Sequence, residues 1–190
     1  MKLDHTKNYT VNRIKVSITK RLMHNIVKDK DILVIGNALS IDESKLQIEL
    51  DKNPITCAFN RGVEKYDPDI ALFNVVSYWL DIIPKSDIRG LITQVSPKGR
   101  PAIDADFEIP LDFINDLKRY VGPRPSAGCI VNTFLAKKDL NARSVTLIGF
   151  DFKTSPSWYD LHRTKEPHNY ELEREYTLNT LVNKRGFRII

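Results

Sequence analysis

The sequence predicts an α/β fold, a single Rossmann-like, doubly wound and mostly parallel sheet, on three observations. Short apolar runs closed by glycine or asparagine alternate with segments of helical periodicity. The pair "DILVIG" and "SIDESKLQIEL" reads as strand, turn and helix. Late in the chain "SAGCIVNTFLAKKDL" runs into the apolar "SVTLIGF", repeating the alternation.

Each element has its own warrant. Val11, Ile14, Ile18, Leu22 and Ile26 recur at helical spacing and give a first amphipathic helix with a basic face. Residues 31–36 are a buried strand. The helix over 40–50 starts on Ser40 as cap, with Glu43 three residues later. "ITCAFN" (55–60), "IALFN" (70–74) and "LITQV" (91–95) are further strands, 126–140 a helix and 144–150 a strand. The last helix, 168–186, has acidic residues in its first turns, Lys184 and Arg185 in its last and Gly186 as stop; "FRII" then closes the sheet. Two stretches carry no element. Residues 96–110 are rich in proline and charge, and 151–167 form a long loop after a strand's carboxyl end, where open α/β sheets bind ligands.

At 190 residues, with 42% hydrophobic and 28% charged content, the chain supports one core. No apolar run approaches the roughly 20 residues that span a bilayer, and the N-terminus lacks a secretory pattern, so a cytoplasmic location is expected. The net charge of +5 is concentrated in residues 1–30, where Lys2, Lys7, Arg13, Lys15, Lys20, Arg21, Lys28 and Lys30 face only Asp4 and Asp29. This basic arm, 1–30, is either a helix packed on the sheet or a peripheral contact to the inner face of a membrane. Without aromatic interleaving or a recognition motif, nucleic acid is not an expected partner. Cys57 and Cys129 lie in apolar segments without metal-ligand spacing, which predicts buried free thiols.

Chemistry gathers at the strand ends. Asn37, Asn60 and Asn74 fall at one edge of the sheet, each offering donor and acceptor to a base or a sugar hydroxyl, although asparagine also suits a strand-end turn. "GNALS" supplies Gly36 for close backbone approach and, with Ser40 as cap, N–H groups for a phosphate. It is neither a GxGxxG nor a P-loop pattern, which argues against a dinucleotide cofactor or P-loop ATP chemistry. "GPRPSAG" opens a second helix, where Ser126 and the backbone of Ala127 and Gly128, with Arg124 nearby, suit an anion or make an ordinary cap. Pro167 puts His168 near a helix N-terminus, with Glu173 one to two turns on. The positive end of the helix disfavours an imidazolium and keeps the ring fit to act as a base; an exposed capping histidine is the alternative.

Together these stretches resemble the sialyltransferases, glycosyltransferase family 29 and more distantly the bacterial family 42. "VIGNALS" and "CAFNRG" are similar to the first donor-site motif, "RPSAGCIV" and "IGFDF" to the two ends of the second, "SWYD" to the third and "HNYELE" to the last. Their order and spacing match from about residue 31 to the C-terminus. The chain departs from the family where "GNALSI" replaces Gly-Asn-Gly-Pro-Ser-Leu and where Ala127 replaces threonine. Family 29 enzymes of animals also carry a motif-bridging disulfide near the places of Cys57 and Cys129.

The resemblance implies a GT-A-variant sialyltransferase-like fold over 31–190. It further implies an inverting, metal-independent transfer from a CMP-activated sugar acid to a glycan acceptor, with no cofactor. His168 would be the general base, and Tyr159 and Lys153 would meet the leaving phosphate. Gly36, Asn37, Ser40, Asn60, Arg61, Asn74, Arg124, Ser126, Ala127, Gly128, Gly149, Phe150, Asp151, Asp160 and Glu173 would bind substrate. Competing readings are a CMP-Kdo transferase, a non-catalytic nucleotide- or glycan-binding relative, and a metal-dependent UDP- or GDP-sugar transferase. The last would use "DPD" (Asp67, Asp69) or "DAD" (Asp104, Asp106), pairs that also arise by chance.

If the basic arm docks on an anionic membrane, binding to anionic vesicles falls steeply with added salt and is lost on deletion of residues 1–29. Vesicle binding that survives the deletion rejects membrane docking by the arm, and unfolding on deletion marks a core helix instead.

Overall fold

Both faces of Asp31–Ile35 (β1) are apolar, and this places the strand at the centre of the fold. Ile32 and Val34 enter the larger of two core clusters, Leu33 and Ile35 the smaller one, as strand alternation dictates. The computed structural model describes residues 23–74, 91–95, 105–159, 161 and 168–190, with 74 and 91–95 as backbone only.

The remaining strands are Ile55–Phe59 (β2), Ile70–Asn74 (β3), Leu91–Val95 (β4), Phe107–Ile109 (β5), Ser144–Ile148 (β6) and Arg188–Ile189 (β7). They form a seven-stranded sheet in the order β5-β4-β3-β2-β1-β6-β7. Every pairing in it is parallel. The chain steps outward from β1 to β5 and then returns to lay β6 on the other side of β1. That reversal makes the β1/β6 boundary the switch point, where the loops leaving the carboxyl ends of the two strands diverge.

Helices cover both faces, as a doubly wound sheet requires. On the larger side Leu111–Val121 (the second of the longer helices) buries Ile114, Leu117 and Val121, and Ala127–Leu135 buries Ile130, Val131 and Phe134. Phe134 packs on Phe107 and Phe113, with ring centroids 5.3 and 5.4 Å away. The smaller side is closed by Leu46 of Glu43–Leu50, with Ile41, Leu50 and Tyr66. In chain order the helices are α1 (Glu43–Leu50), α2 (Gly62–Tyr66), α3 (Leu111–Val121), α4 (Ala127–Leu135), α5 (Tyr170–Tyr176) and α6 (Asn183–Arg185).

Several expectations are corrected. Ser40 does not cap α1: the Asp42 carboxylate accepts from the Ser44 and Lys45 N–H groups, while Ser40 Oγ donates to Asp151. A carboxylate two residues closer to the helix outcompetes a hydroxyl for these donors. His168 does lie near a helix N-terminus, one residue before the cap of α5, where the Asn169 side chain accepts from Leu172 N–H. The expected single helix to 186 changes to π-helical turns over Thr177–Val182 before α6. Gly186 ends it, as the sequence indicates, with φ 73°. The unassigned stretch 96–110 contains β5, and α3 follows it unanticipated, although Ile114, Leu117 and Val121 at i, i+3 and i+7 carry the helical period.

The basic arm lies outside the described residues up to 22. Its end, 23–27, is helical, and Met23 and Val27 are buried in the larger core, so the arm's last turn belongs to the domain. Among the described residues no helix is long and apolar enough to cross a membrane.

Cys57 and Cys129 are both free and buried. Burial pushes the Cys57 thiol up to about 12 and raises Cys129 well above its ordinary value, the Glu173 charge adding to the latter. A thiolate is the reactive species, so native protein is expected to leave both thiols unmodified by an aromatic disulfide reagent, whereas denatured protein releases both. Fast labelling of the native protein would contradict this packing.

Candidate functional site

β1 and β6 pair in register up to Ile35 and Ile148, so the next residues on each must pass at close range. A Cβ on Gly36 would lie 2.1 Å from the Gly149 carbonyl oxygen, and one on Gly149, at φ 73°, would lie 2.5 Å from Ile41 Cδ1. The two loops meet backbone to backbone because both positions lack a side chain. Gly36 N–H donates to Ile148 O at 2.7 Å, Leu39 N–H to Pro156 O at 2.9 Å and Trp158 N–H to Asn37 O at 3.1 Å, and Ala38 bridges Ser157. Gly36 therefore makes room for the chain's own loop.

That loop turns on Asp151. Its carboxylate accepts from Ser40 Oγ at 3.0 Å, Lys153 N–H at 3.0 Å, Ser155 N–H at 2.9 Å and, in a short contact, Ser155 Oγ. Phe152 and Lys153 take left-handed conformations, φ 52° and 64°. Lys153 Nζ then donates to the buried Ser157 Oγ at 2.7 Å. Tyr159 meets the edge of Trp158, and the Arg61 guanidinium stands 5.9 Å from the centroid of the Tyr159 ring. Asp160 lies outside the described residues.

The strand-end asparagines share the carboxyl edge of adjacent parallel strands, β1, β2 and β3, as expected. Their roles differ. Asn37 is buried, with Nδ2 donating to Phe59 O at 3.3 Å, while its Oδ1 is buried without a hydrogen bond. Asn60 takes the turn after β2 at φ 52°, and its N–H donates to Leu72 O. Asn74 closes β3 beside Val95. Asn37 thus presents an unsatisfied buried acceptor at this edge.

A second group surrounds the start of α4. Both oxygens of Glu173, on α5, are taken by Ser126: Oε1 by its N–H and Oε2 by its hydroxyl, each at 2.6 Å. Ser126 Oγ also accepts from Cys129 N–H at 3.1 Å and so caps α4. At the turn expected to suit an anion or to make an ordinary cap, Ser126 makes the cap, and its own N–H is bonded to the Glu173 carboxylate. Ala127 is buried, and a Cβ on Gly128 would meet Phe150 at 2.8 Å and Phe59 at 3.2 Å. Phe150 thus links the β6 loop to the start of α4. His168 Nδ1 lies 2.7 Å from the Arg124 carbonyl oxygen. A carbonyl only accepts, so Nδ1 carries the hydrogen and the neutral ring has its lone pair at Nε2.

Among the described residues no group of three or more His, Cys, Asp or Glu is arranged to hold a metal ion. The "DPD" pair is remote from this edge: Asp69 precedes β3 and its carboxylate accepts from Thr56 N–H and Oγ1, both at 2.8 Å, at the amino end of β2. Asp104 lies outside the described residues. Sequence reasoning did not single out Asp42, which takes the cap expected of Ser40, nor Ser155 and Ser157, the partners of Asp151 and Lys153; serine and aspartate beside strand-end turns are the signal that points to them. No protein-family model matches the chain, and no curated protein aligns with it as a relative.

Burial raises the Glu173 carboxyl above its ordinary value of 4.5, and the Ser126 bonds pull against that shift. A carboxyl raised in the folded state favours folding most below its unfolded value, and that contribution is lost as pH rises through the folded value. Glu173→Gln keeps the shape and removes the titration. Its melting temperature is expected to gain on the wild type as pH rises from about 4 to about 8; a difference that does not change with pH would mean that Glu173 titrates as an exposed carboxylate.

Proposed function

We propose that the protein transfers a sugar acid from a CMP-activated donor to a glycan hydroxyl, with inversion and with His168 as general base. The observation that carries this reading is convergence. The stretches that resemble the sialyltransferase motifs are far apart in sequence, yet each contacts another at the carboxyl edge of the sheet: "GNALS" with "SWYD", "CAFN" with "GNALS", "RPSAG" with both "GFDF" and "HNYELE". A site at the switch point of a parallel sheet is where such folds bind nucleotides.

In the proposed reaction the acceptor oxygen attacks the anomeric carbon on the face opposite the phosphate. The C–O bond to CMP breaks, and the electron pair leaves on the phosphate oxygen. His168 Nε2 takes the acceptor proton, the Nδ1–H bond to Arg124 O leaving the lone pair of the neutral ring on that nitrogen. The Tyr159 hydroxyl and the Lys153 ammonium stabilise the departing charge as donors on the loop that Asp151 shapes. The GT-A-variant form of the fold and a location at the inner face of a membrane belong to the same reading.

CMP is expected to raise the melting temperature without added metal, as any ligand that binds only the folded state must. His168→Ala should lower turnover by roughly two to four powers of ten with CMP binding retained. A larger shift with UDP and manganese, abolished by a chelator, would reassign the donor, and CMP binding with turnover indifferent to His168 would mark a nucleotide-binding relative without this chemistry.

A further inference from the structure

We propose that Glu173 is a positioning residue: by clamping Ser126 it fixes the Arg124 carbonyl and thereby holds His168 in the Nδ1–H tautomer. The chain of contacts is short and each link is directional. Glu173 is 3% exposed and gives both carboxylate oxygens to Ser126. Ser126 is held from its other side as well, because its hydroxyl accepts from Cys129 N–H within α4. Between Ser126 and Arg124 stands the buried Pro125, whose ring fixes φ and removes one of the few rotations by which the Arg124 carbonyl would swing away. That carbonyl receives the His168 hydrogen at 2.7 Å.

The geometry closes on itself, since His168 precedes the Asn169 cap of α5 and Glu173 lies on the same helix. Two bonds from Glu173 and one from His168 therefore tie the start of α5 to the 124–126 segment at separate points. Glu173 is buried with both oxygens bonded to Ser126, so its influence on the ring passes through the backbone of 124–126. The choice of tautomer is a property of the ring's partners. An unconstrained imidazole favours the Nε2–H form, which has its lone pair on the nitrogen that here faces Arg124. Glu173 thus sets which nitrogen carries the hydrogen. Its catalytic consequence rests on the transfer reaction proposed above; the tautomer itself does not.

The test is nitrogen-15 NMR of the full chain labelled at histidine, with the His168 signals assigned by their loss in His168→Ala. In the wild type the Nδ1–H form is expected to dominate, and in Glu173→Gln, whose amide still accepts from Ser126 N–H, it should persist. In Glu173→Ala the balance should move toward Nε2–H by about tenfold, the bias that one well-made hydrogen bond supplies. Should Glu173→Ala fail to fold, Ser126→Ala, which keeps one of the two bonds, is expected to move the balance in the same direction by about threefold. A wild-type ring already in the Nε2–H form overturns the proposal. So does a balance unchanged in Glu173→Ala, or in Ser126→Ala where that variant carries the test. The expected tautomer shift in a protein that transfers nothing from a CMP-sugar would uphold the positioning role and reject the transfer reading instead.

Discussion

The close passage of Gly36 and Gly149 is the constraint on which the rest of this edge depends. β1 and β6 run in parallel register to their last residues, and the chain must leave both strands at nearly the same point. A Cβ at either glycine would drive into the neighbouring loop or Ile41. With none there, Gly36 N–H reaches Ile148 O, and the two loops continue together through Leu39 to Pro156 and Asn37 to Trp158. The loop of residues 149–159 is therefore an extension of the sheet edge, folded back over the end of β1, and its polar residues are carried into place by backbone bonds.

The conformation of that loop is costly and is met locally. Left-handed backbone at Phe152 and Lys153 costs on the order of 1–3 kcal/mol for each residue. A hydrogen bond to a charged acceptor contributes roughly 1.5–3 kcal/mol, and the Asp151 carboxylate receives Ser40, Lys153 and Ser155. These contributions are of the same order as the strain and offset it, so Asp151 holds the path of the turn. The strained turn in its place brings Lys153 Nζ to Ser157, beside the aromatic pair Trp158 and Tyr159. Sequence, local strain and site chemistry are joined here through one carboxylate.

The second half of the site is placed by packing on the larger face of the sheet. α4 brings its N-terminus over Phe59 and Phe150, with only Gly128 at the point of contact. α5 packs against α3, where Tyr176 and Tyr120 pair at 5.7 Å. Glu173 projects from α5 to the start of α4 and accepts from the N–H and the hydroxyl of its cap, Ser126. An internal carboxylate at that position joins the two helices, and the histidine beside it has the Arg124 carbonyl as partner.

The alternation of strand and helix, the order of the quoted stretches and the edge at which they accumulate were legible in the residues alone. Periodicity and strand-end residues are local signals, and β1, β2, β3, β4 and β6 follow them closely. The Ser126 cap and the Gly186 stop were legible for the same reason. What Ser126 faces was not: its partner Glu173 is remote in sequence, and a helix start that could receive a phosphate looks identical to one that receives a carboxylate. Long-range contacts close Gly36 with Gly149, draw Ser40 to Asp151 while Asp42 takes the cap, and put "DPD" at the amino end of the sheet. Those outcomes depend on which donor meets which acceptor across long separations, and strand register, set by the whole sheet, brings them together or keeps them apart.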